Sequence, residues 1–310
     1  MANYEKPARS KYFNGPIYDQ MAEDLQLTGK AQRTVHGYLR AVWQLADHCC
    51  KAPDQITETE LRRYFLYLRN QKKSAYGTLR VALSGVQFFY RTTCVRDWNV
   101  LSMLKLKNEN TLPEVITRQQ VRQIILAANT QRMRVFFWTV YSLGLRLGEG
   151  LNLQVGDIDS QRKMVHIHRG KGAKDRYIPI SQFTIDALRR YWVTHQHPKF
   201  LFPADGRNHT LKPGTVSVAK TPMSMTSAQG AIKKITKELK FGKRVTMHTL
   251  RHSFATHLLE ANVSLRVIQQ YLGHSSLMTT IEYLHLTDTA QQDARGTIEK
   301  LFAWKIDEAK

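Results

Sequence analysis

The sequence predicts a mainly α-helical protein of two domains, with a small antiparallel β-sheet in the second domain. Apolar residues recur at helical spacing along most of the chain, a polar, turn-rich stretch interrupts them about a third of the way along, and one short segment alternates as a strand does. With 310 residues, each domain can bury a core. We expect a helical domain over 1–106, a linker over 107–114, a second domain over 115–290 and a tail helix over 291–310.

Three amphipathic helices are predicted in the first domain. Residues 35–49 show helical spacing of apolar side chains, Thr57 and Glu60 form a capping box that opens a second helix, and a third helix covers about 76–90. Basic residues outside the apolar stripes either face solvent or grip phosphates. They are Lys30, Arg33, Arg40, Lys72, Lys73 and Arg80.

The second domain is predicted to begin with a helix capped by Thr117 and Gln120, and helices continue to Val140. Residues 164–180 alternate apolar and polar side chains around a glycine- and lysine-rich turn, which predicts a β-hairpin. Helical patterns then return over 182–194, 227–239, 249–260, 264–272 and 277–284.

The charge of the chain favours a nucleic acid partner. Lys and Arg number 46 against 25 Asp and Glu, which leaves a net charge of +21 that a polyanion can neutralise. Residues 1–114 hold 17 basic and 11 acidic groups, whereas 115–310 hold 29 and 14, so the second domain should make most phosphate contacts. The three cysteines suit neither disulfides nor zinc, and no secretory signal or membrane-spanning run is seen, so we expect a cytoplasmic protein without a membrane partner.

Two segments of the second domain carry basic residues in unusual settings. In YSLGLRLGEGLNL, a helix breaks at Gly144 and leaves Arg146 at the start of the next helix, where a cation beside backbone N–H groups suits a phosphate. In GKGAKD, Lys171 and Lys174 stand in a tight turn between strands. Taken alone, either segment is compatible with a solvated arginine or an ordinary basic turn.

Two further segments carry histidines and a tyrosine. In HTLRHSFATHLL, His248 and Arg251 are three residues apart on one helix face and can address one phosphate. His248 and His252 have the spacing of zinc ligands, but the glutamate of a zincin motif is missing and Arg251 would repel the ion. In LGHSSLMTTIEYLHL, His274 ends one helix and Tyr283 lies nine residues on, inside the next helix.

Together the four segments resemble the catalytic domain of the tyrosine recombinases, the family of phage integrases, Xer proteins and Cre. The family order of Arg, Lys, His-x-x-Arg, Gly-His and Tyr is matched over roughly 115–290 by Arg146, Lys171, His248, Arg251, Gly273 with His274, and Tyr283. The N-terminal helices are similar to the family's SAM-like core-binding domain, so the resemblance implies two domains that clamp DNA. Gly150 departs from a usually bulky apolar position, which should loosen its helix, and residues 200–226 match nothing.

The resemblance implies that Tyr283 attacks a DNA phosphodiester, forms a 3′-phosphotyrosyl bond and releases a 5′-hydroxyl without ATP. Arg146 and Arg251 would clamp the non-bridging oxygens, and His274 would add a third donor. A phenol with a pKa near ~10 costs about 4 kcal/mol to ionise at neutral pH, so His248 is expected to act as its general base.

The resemblance also assigns supporting roles. Lys171 would be the general acid for the leaving 5′-oxygen, with Lys174 as the alternative, and Glu149 would orient basic side chains. Lys174 and Arg244 join the candidates for DNA contact. No metal ion and no cofactor are expected, because the arginine cluster does the work that a metal does in other phosphoryl transferases.

The tail differs in charge from the rest of the chain. Residues 284–310 hold four basic and five acidic groups, and their apolar members include Ile298, Leu301, Phe302 and Trp304. We expect this tail to pack on a neighbouring subunit in a homotetramer on two double-stranded DNA sites, with docking on its own domain as the alternative.

Other functions remain open at the level of sequence. A type IB topoisomerase uses similar residues, and a catalytically silent DNA-binding regulator could share the fold. A metal hydrolase lacks ligands, since the nearest carboxylate pair, Asp157 and Asp159, stands in a turn where capping is expected. Integration, excision, transposition and dimer resolution all fit a recombinase.

Overall fold

The computed structural model describes residues 11–104, 106, 113–168, 175–205, 216–274 and 278–281. The chain divides into two compact units, Met1–Asn110 and Thr111–Lys310. The described residues are mostly helical, and the second unit holds a three-stranded antiparallel sheet in the order β1-β2-β3. The predicted fold class is therefore confirmed.

The described helices of the first unit include two that the sequence patterns did not predict, α1 and α5. They are α1 (Pro16–Leu27), α2 (Gln32–Cys49), α3 (Glu58–Leu66), α4 (Tyr76–Phe88) and α5 (Asn99–Met103). Helix α1 is easily missed because its buried stripe is narrow and includes Tyr18 and Ala22. Helix α5 has only five residues, which is too short for a periodic pattern.

Local sequence signals explain how the first unit is built. Thr57 and Glu60 form the predicted capping box, in which the Thr57 hydroxyl accepts from the Glu60 N–H and the Glu60 carboxylate accepts from the Thr57 N–H. Helix α4 packs closely on α2 because Gly85 has no side chain: a Cβ there would stand 2.9 Å from Ala41 Cβ.

The second unit contains the predicted hairpin and helices. Its helices are α6 (Arg118–Leu126), α7 (Gln131–Ser142), α8 (Leu147–Leu151), α9 (Gln182–Val193), α10 (Met225–Glu238), α11 (Met247–Glu260), α12 (Leu265–Leu272) and α13 (Met278–Ile281). Its strands are β1 (Ile158–Asp159), β2 (Met164–Ile167) and β3 (Arg176–Pro179). Strand β1, which the sequence did not predict, pairs with β2 over two residues only.

The sheet separates a buried face from an outer face. Val165, Ile167 and Ile178 are buried in the core, whereas His166 and Tyr177 are paired across β2 and β3 on the other face. The alternation that predicted the hairpin therefore has a physical basis in one-sided burial.

Helix α7 lies at the centre of the second unit and packs on α6, α9 and α11. Gly150, on α8, allows that short helix to approach α7, since a Cβ there would lie 3.0 Å from Val140 Cγ2 and 3.3 Å from the Phe136 ring. This glycine therefore serves close packing between α8 and α7, and the expected loosening of its own helix stays a prediction. In the segment 200–226, which matched nothing in sequence, Phe202 and Met223 belong to the same core. Among the described residues, no helix is both long and apolar enough to cross a membrane.

Candidate active site at the end of helix α12

Two glycines end the helices that lead into the site. Gly144 after α7 has φ +58° and Gly273 after α12 has φ +62°, both in the left-handed region that glycine adopts readily. In each case the N–H groups of the glycine and of the next residue bond to carbonyls of the last helical turn, which is a Schellman motif. The sharp turns place Arg146 two residues after Gly144 and His274 directly after Gly273.

Three arginines donate hydrogen bonds to three successive carbonyls at the end of α12. The pairs are Arg176 Nε with Tyr271 O at 2.8 Å, Arg251 Nη2 with Leu272 O at 2.6 Å and Arg146 Nη2 with Gly273 O at 3.2 Å. The last carbonyls of a helix lack partners within it and carry partial negative charge, so cations stabilise them. The arginines thereby fix the segment that carries His274.

Glu149 is the buried carboxylate among these guanidinium groups. It accepts from Arg146 N and Nη1, both at 2.8 Å, and from Arg176 Nη1 and Nη2 at 3.0 and 2.8 Å. Arg251 Nη1 lies 3.7 Å away. Burial opposes ionisation of Glu149, but the hydrogen bonds and charge of Arg176, with the hydrogen bonds from Arg146, outweigh it and lower its pKa to about 2. Three guanidinium groups and one carboxylate leave two positive charges in excess.

Arg251 and His248 lie one turn apart on α11 but differ in burial. Arg251 is 3% exposed, and its Nη1 also donates to Gly144 O at 2.8 Å. Its hydrogen bonds to Gly144 O and Leu272 O therefore connect the end of α7 to the end of α12. His248 is more exposed than Arg251 and reaches the surface, although part of its ring is shielded from water.

The histidines of the cluster are held in the neutral form. Burial first, and then the charges of Arg251 and Arg146, lower the pKa of His248 and bring that of His274 to about 4. Burial and the neighbouring His248 and Arg251 bring the pKa of His252 to about 4 as well. His274 Nδ1 is 2.9 Å from Thr280 Oγ1 on α13, which fixes the imidazole ring. A neutral imidazole can accept a proton, as a general base must.

Comparison with known proteins identifies the family. Residues 114–290 match the phage integrase family, and residues 17–100 match the phage integrase N-terminal SAM-like domain. The chain belongs to the phage integrase family of tyrosine recombinases. The predicted family and the predicted class of function, site-specific recombination, are confirmed, and the relatives favour neither a topoisomerase nor a silent regulator.

Relatives of this recombinase span nearly its whole length. A putative integrase/recombinase y4qK of Sinorhizobium fredii is 36% identical over 87% of this chain and 84% of its own. The tyrosine recombinase XerA of Pyrococcus horikoshii is 30% identical over 94% of this chain and 95% of its own. Among solved structures, the Tn1549 transposon integrase in complex with transposon right end DNA is 17% identical, with a TM-score of 0.64 over 92% of this chain and 99% of that one, which shows a shared fold.

The structure of the recombinase gathers four of the predicted catalytic residues, and the others fall outside it. Arg146, Arg251, His248 and His274 lie around the ends of α7 and α12. The remaining predicted residues, Lys171, Lys174 and Tyr283, lie outside the described residues, as does the tail 291–310.

Those predicted DNA contacts of the recombinase that fall among the described residues lie at the surface of their units. The exposed residues are Lys30, Arg33, Arg40, Lys72, Lys73, Arg80 and Arg244. Exposure is required for a phosphate contact but equally fits a solvated side chain, so these contacts stay a prediction.

Sequence reasoning missed Arg176 of the recombinase. This arginine is 8% exposed and shares a face of β3 with Ile178, which is 1% exposed, and Ile180, directly after the strand, is 3% exposed. A cation on an apolar strand face was the signal that could have found it, because a buried charge needs a partner. Gly273 leaves room for it: a Cβ there would stand 3.0 Å from Arg176 Cδ.

Proposed function

We propose that this recombinase cuts and rejoins double-stranded DNA at specific sites through a 3′-phosphotyrosyl bond to Tyr283. The observation that carries the proposal is the excess of two positive charges, with neutral histidines beside them, at the end of α12. From this point the chain reaches Tyr283 in nine residues. Such a cluster matches the negative charge that builds on a phosphate under attack.

The reaction conserves the bond energy of the DNA strand. The Tyr283 oxygen attacks phosphorus, a P–O bond to tyrosine forms, and the P–O5′ bond breaks. The phenol proton passes to a base, and another proton goes to the 5′-oxygen. A 5′-hydroxyl from the partner duplex then reverses these steps, so neither ATP nor an external oxidant or reductant is consumed.

The cations at the helix ends would hold the phosphate. Arg146, whose side chain is 22% exposed, is the more accessible of the two clamping arginines. Arg251 is buried and would contribute mainly its charge. Each donor that meets the transition state contributes about 3–4 kcal/mol, which is a factor of about 10²–10³ in rate. Glu149 and Arg176 hold Arg146 in place, so the guanidinium needs little reorganisation during the reaction. His274 would add a further donor.

His248 would accept one proton in the reaction, and Lys171 or Lys174 would donate the other. His248 is exposed and has a lowered pKa, so at neutral pH it can take the proton of Tyr283. Lys171 would protonate the leaving 5′-oxygen, with Lys174 as the alternative. Because the guanidinium groups supply the positive charge, the reaction should proceed without a divalent ion.

The assembly proposed is a homotetramer on two DNA sites. The two units would clamp the duplex, with the basic surface of the second unit making most phosphate contacts, and residues 291–310 would pack on a neighbouring subunit. The place of action would be the nucleoid in the cytoplasm, where integration, excision, transposition and dimer resolution share this chemistry.

Covalent trapping tests the proposal. The protein is incubated in EDTA, without ATP, with nicked duplexes that carry the DNA flanking its own gene, and adducts that survive SDS are separated by electrophoresis. We expect an adduct that Tyr283→Phe abolishes and that leaves a 5′-hydroxyl, which polynucleotide kinase can label. Tyr177→Phe is the matched control, since Tyr177 is 57% exposed on β3 and should still give an adduct.

Two outcomes would overturn the proposal. The first is the absence of an adduct on a duplex that the wild type demonstrably cleaves. The second is an adduct that persists in Tyr283→Phe. Arg146→Ala provides the test of the phosphate clamp: DNA binding should survive, and the rate of adduct formation should fall by about 10²–10³.

A further inference from the structure

The outer face of the β2–β3 hairpin gathers two imidazoles and a carboxylate outside the arginine cluster. His166 lies on β2 and His168 follows the last residue of that strand; the two are two residues apart, and their ring centroids are 4.0 Å apart on the same face. His166 is paired with Tyr177, so Asp175, two residues before Tyr177, also belongs to this face. One potential ligand atom from each of His166, His168 and Asp175 lies within 4.8 Å of the other two.

The distances suit a common ion better than a set of separate pairs. His166 Nε2 lies 3.2 Å and His168 Nδ1 lies 3.9 Å from the same oxygen, Asp175 Oδ2. A tetrahedral ion with bonds of 2.0–2.1 Å needs ligand atoms about 3.3 Å apart, so small side-chain rotations suffice. The His166 ring is stacked on Tyr177 at 4.5 Å between centroids and 11° between planes, which restricts its motion.

A second carboxylate orients His168. Asp157 Oδ1 accepts a hydrogen bond from His168 Nε2 at 2.7 Å, and the other oxygen, Oδ2, accepts from Gln154 N at 2.8 Å. The side chain of Asp157 is only 7% exposed, so it forms a fixed acceptor. With its proton on Nε2, His168 presents the lone pair of Nδ1 toward Asp175. A carboxylate behind a metal-binding histidine is the usual support of such a ligand.

We propose that His166, His168 and Asp175 bind one zinc-class divalent cation, with Asp157 as the positioning residue behind His168. Two imidazoles and one carboxylate without a thiolate select Zn²⁺ and its neighbours Co²⁺ and Ni²⁺ over Mg²⁺ or Ca²⁺, which prefer oxygen ligands alone. Three protein ligands leave the fourth position to water.

The place of the site suggests what the ion would do. The ion would join residues on either side of the segment 169–174, whose sequence includes Lys171 and Lys174. If Lys171 or Lys174 has the role proposed above, the ion would hold the two ends of this segment together and limit the positions that the lysines can occupy. This consequence rests on the proposed function, whereas the binding of the ion does not.

Zinc binding to the full-length, untagged protein tests the site. After treatment with EDTA and buffer exchange, Zn²⁺ is titrated by calorimetry, and Co²⁺ absorption reports the ligand geometry. We expect one ion per chain, tetrahedral Co²⁺ bands, and a rise of about 5–10 °C in the unfolding midpoint at a hundredfold excess over Kd. Asp157→Asn should weaken binding by about 10–100-fold, as loss of such support does.

Matched histidine variants locate the ion. His166→Gln and His168→Gln should each abolish stoichiometric binding, whereas His36→Gln, at an exposed position of the first unit, should leave it unchanged. Since the two ligands lie on the outer face of the hairpin, both variants should fold, which the unfolding midpoint in EDTA checks. Failure of the wild type to bind one Zn²⁺, or loss of binding in His252→Gln but not in His168→Gln, would overturn the proposal. None of these readouts depends on recombination.

Discussion

Replacing Glu149 by Gln removes the negative charge that the described residues place beside the three arginines, and tests whether it holds them together. The carboxylate is 8% exposed and accepts four hydrogen bonds from Arg146 and Arg176. A glutamine has nearly the same shape, but its NH₂ group would face N–H donors. The variant therefore changes charge and hydrogen bonding and leaves packing intact.

The lowered pKa of Glu149 sets the size of the effect. A carboxyl with an ordinary pKa of 4.5 and a folded pKa of about 2 stabilises the fold by about 3 kcal/mol at neutral pH, at 1.36 kcal/mol for each unit. Breaking one side of a buried ion pair costs about 3–5 kcal/mol in other proteins, which agrees. We expect Glu149→Gln to lower the free energy of unfolding by about 3 kcal/mol at pH 7.

The pH dependence of this loss has a definite sign. Because the folded pKa lies below the unfolded one, the contribution is complete above about pH 4.5 and disappears as the pH falls through about 2. The difference between wild type and variant should therefore shrink in acid, to about 2 kcal/mol at pH 3.5. Groups remote from Glu149 titrate alike in both proteins and cancel in the difference.

Urea unfolding followed by tryptophan fluorescence measures both numbers. Glu238→Gln is the matched control, since Glu238 is 55% exposed and lies 4.0 Å from Lys234 in an i, i+4 pair. Such exposed pairs contribute about 0.3–0.5 kcal/mol, so the control should be nearly silent. If Glu149→Gln cost less than 1 kcal/mol, or if its cost were the same at pH 3.5 as at pH 7, the account of the cluster would be refuted.

Two further predictions concern the glycines and the histidines of the site. Substitution by Ala, measured by urea unfolding, should destabilise the protein most at Gly144, less at Gly273 and least at Gly242. All three glycines have φ near +60°, so the backbone strain is similar. The added Cβ would stand 2.3 Å from the Phe254 ring at Gly144 and 3.0 Å from Arg176 at Gly273, whereas at Gly242 it would meet no atom beyond its chain neighbours within 4 Å. An equal cost at the three positions would mean that strain alone matters. Because the pKa values of His252 and His274 are lowered from 6.5 to about 4, stability should fall as the pH drops from 6.5 toward 4. His274→Asn should reduce the pH dependence of the unfolding free energy by the equivalent of up to one bound proton. An unchanged pH dependence would contradict the lowered pKa of His274.

Local signals in the sequence predicted the elements that depend on local physics. The capping boxes at Thr57 and Thr117 form as expected, because their partners are three residues away on the same helix. The hairpin is found because its alternation reflects burial on one face. Helix α1 was missed although its buried residues follow helical spacing, since a stripe of four in twelve residues is a weak signal.

The site was predictable as a set of residue types and not as a set of contacts. The order of Arg146, His248, Arg251 and His274 named the residues through a family resemblance. That Arg251 is buried and bonded to carbonyls 107 and 21 residues away follows from tertiary packing, which spacing along one helix cannot reveal. Arg176 was overlooked for the same reason: its partners at Glu149 and Tyr271 lie 27 and 95 residues away.

The end of α12 explains why these distant segments meet. A helix that ends in a Schellman turn at Gly273 leaves carbonyls with spare acceptor capacity, and three arginines from α11, β3 and the start of α8 converge on them. Such convergence would be unfavourable for like charges alone. It is stabilised because Glu149 lies among the guanidinium groups and the carbonyl dipoles oppose them. The balance still leaves positive charge in excess, and a bound phosphate would neutralise it. The same contacts that stabilise the fold therefore prepare the site for an anion, which is why loss of Glu149 should affect stability and the proposed chemistry together.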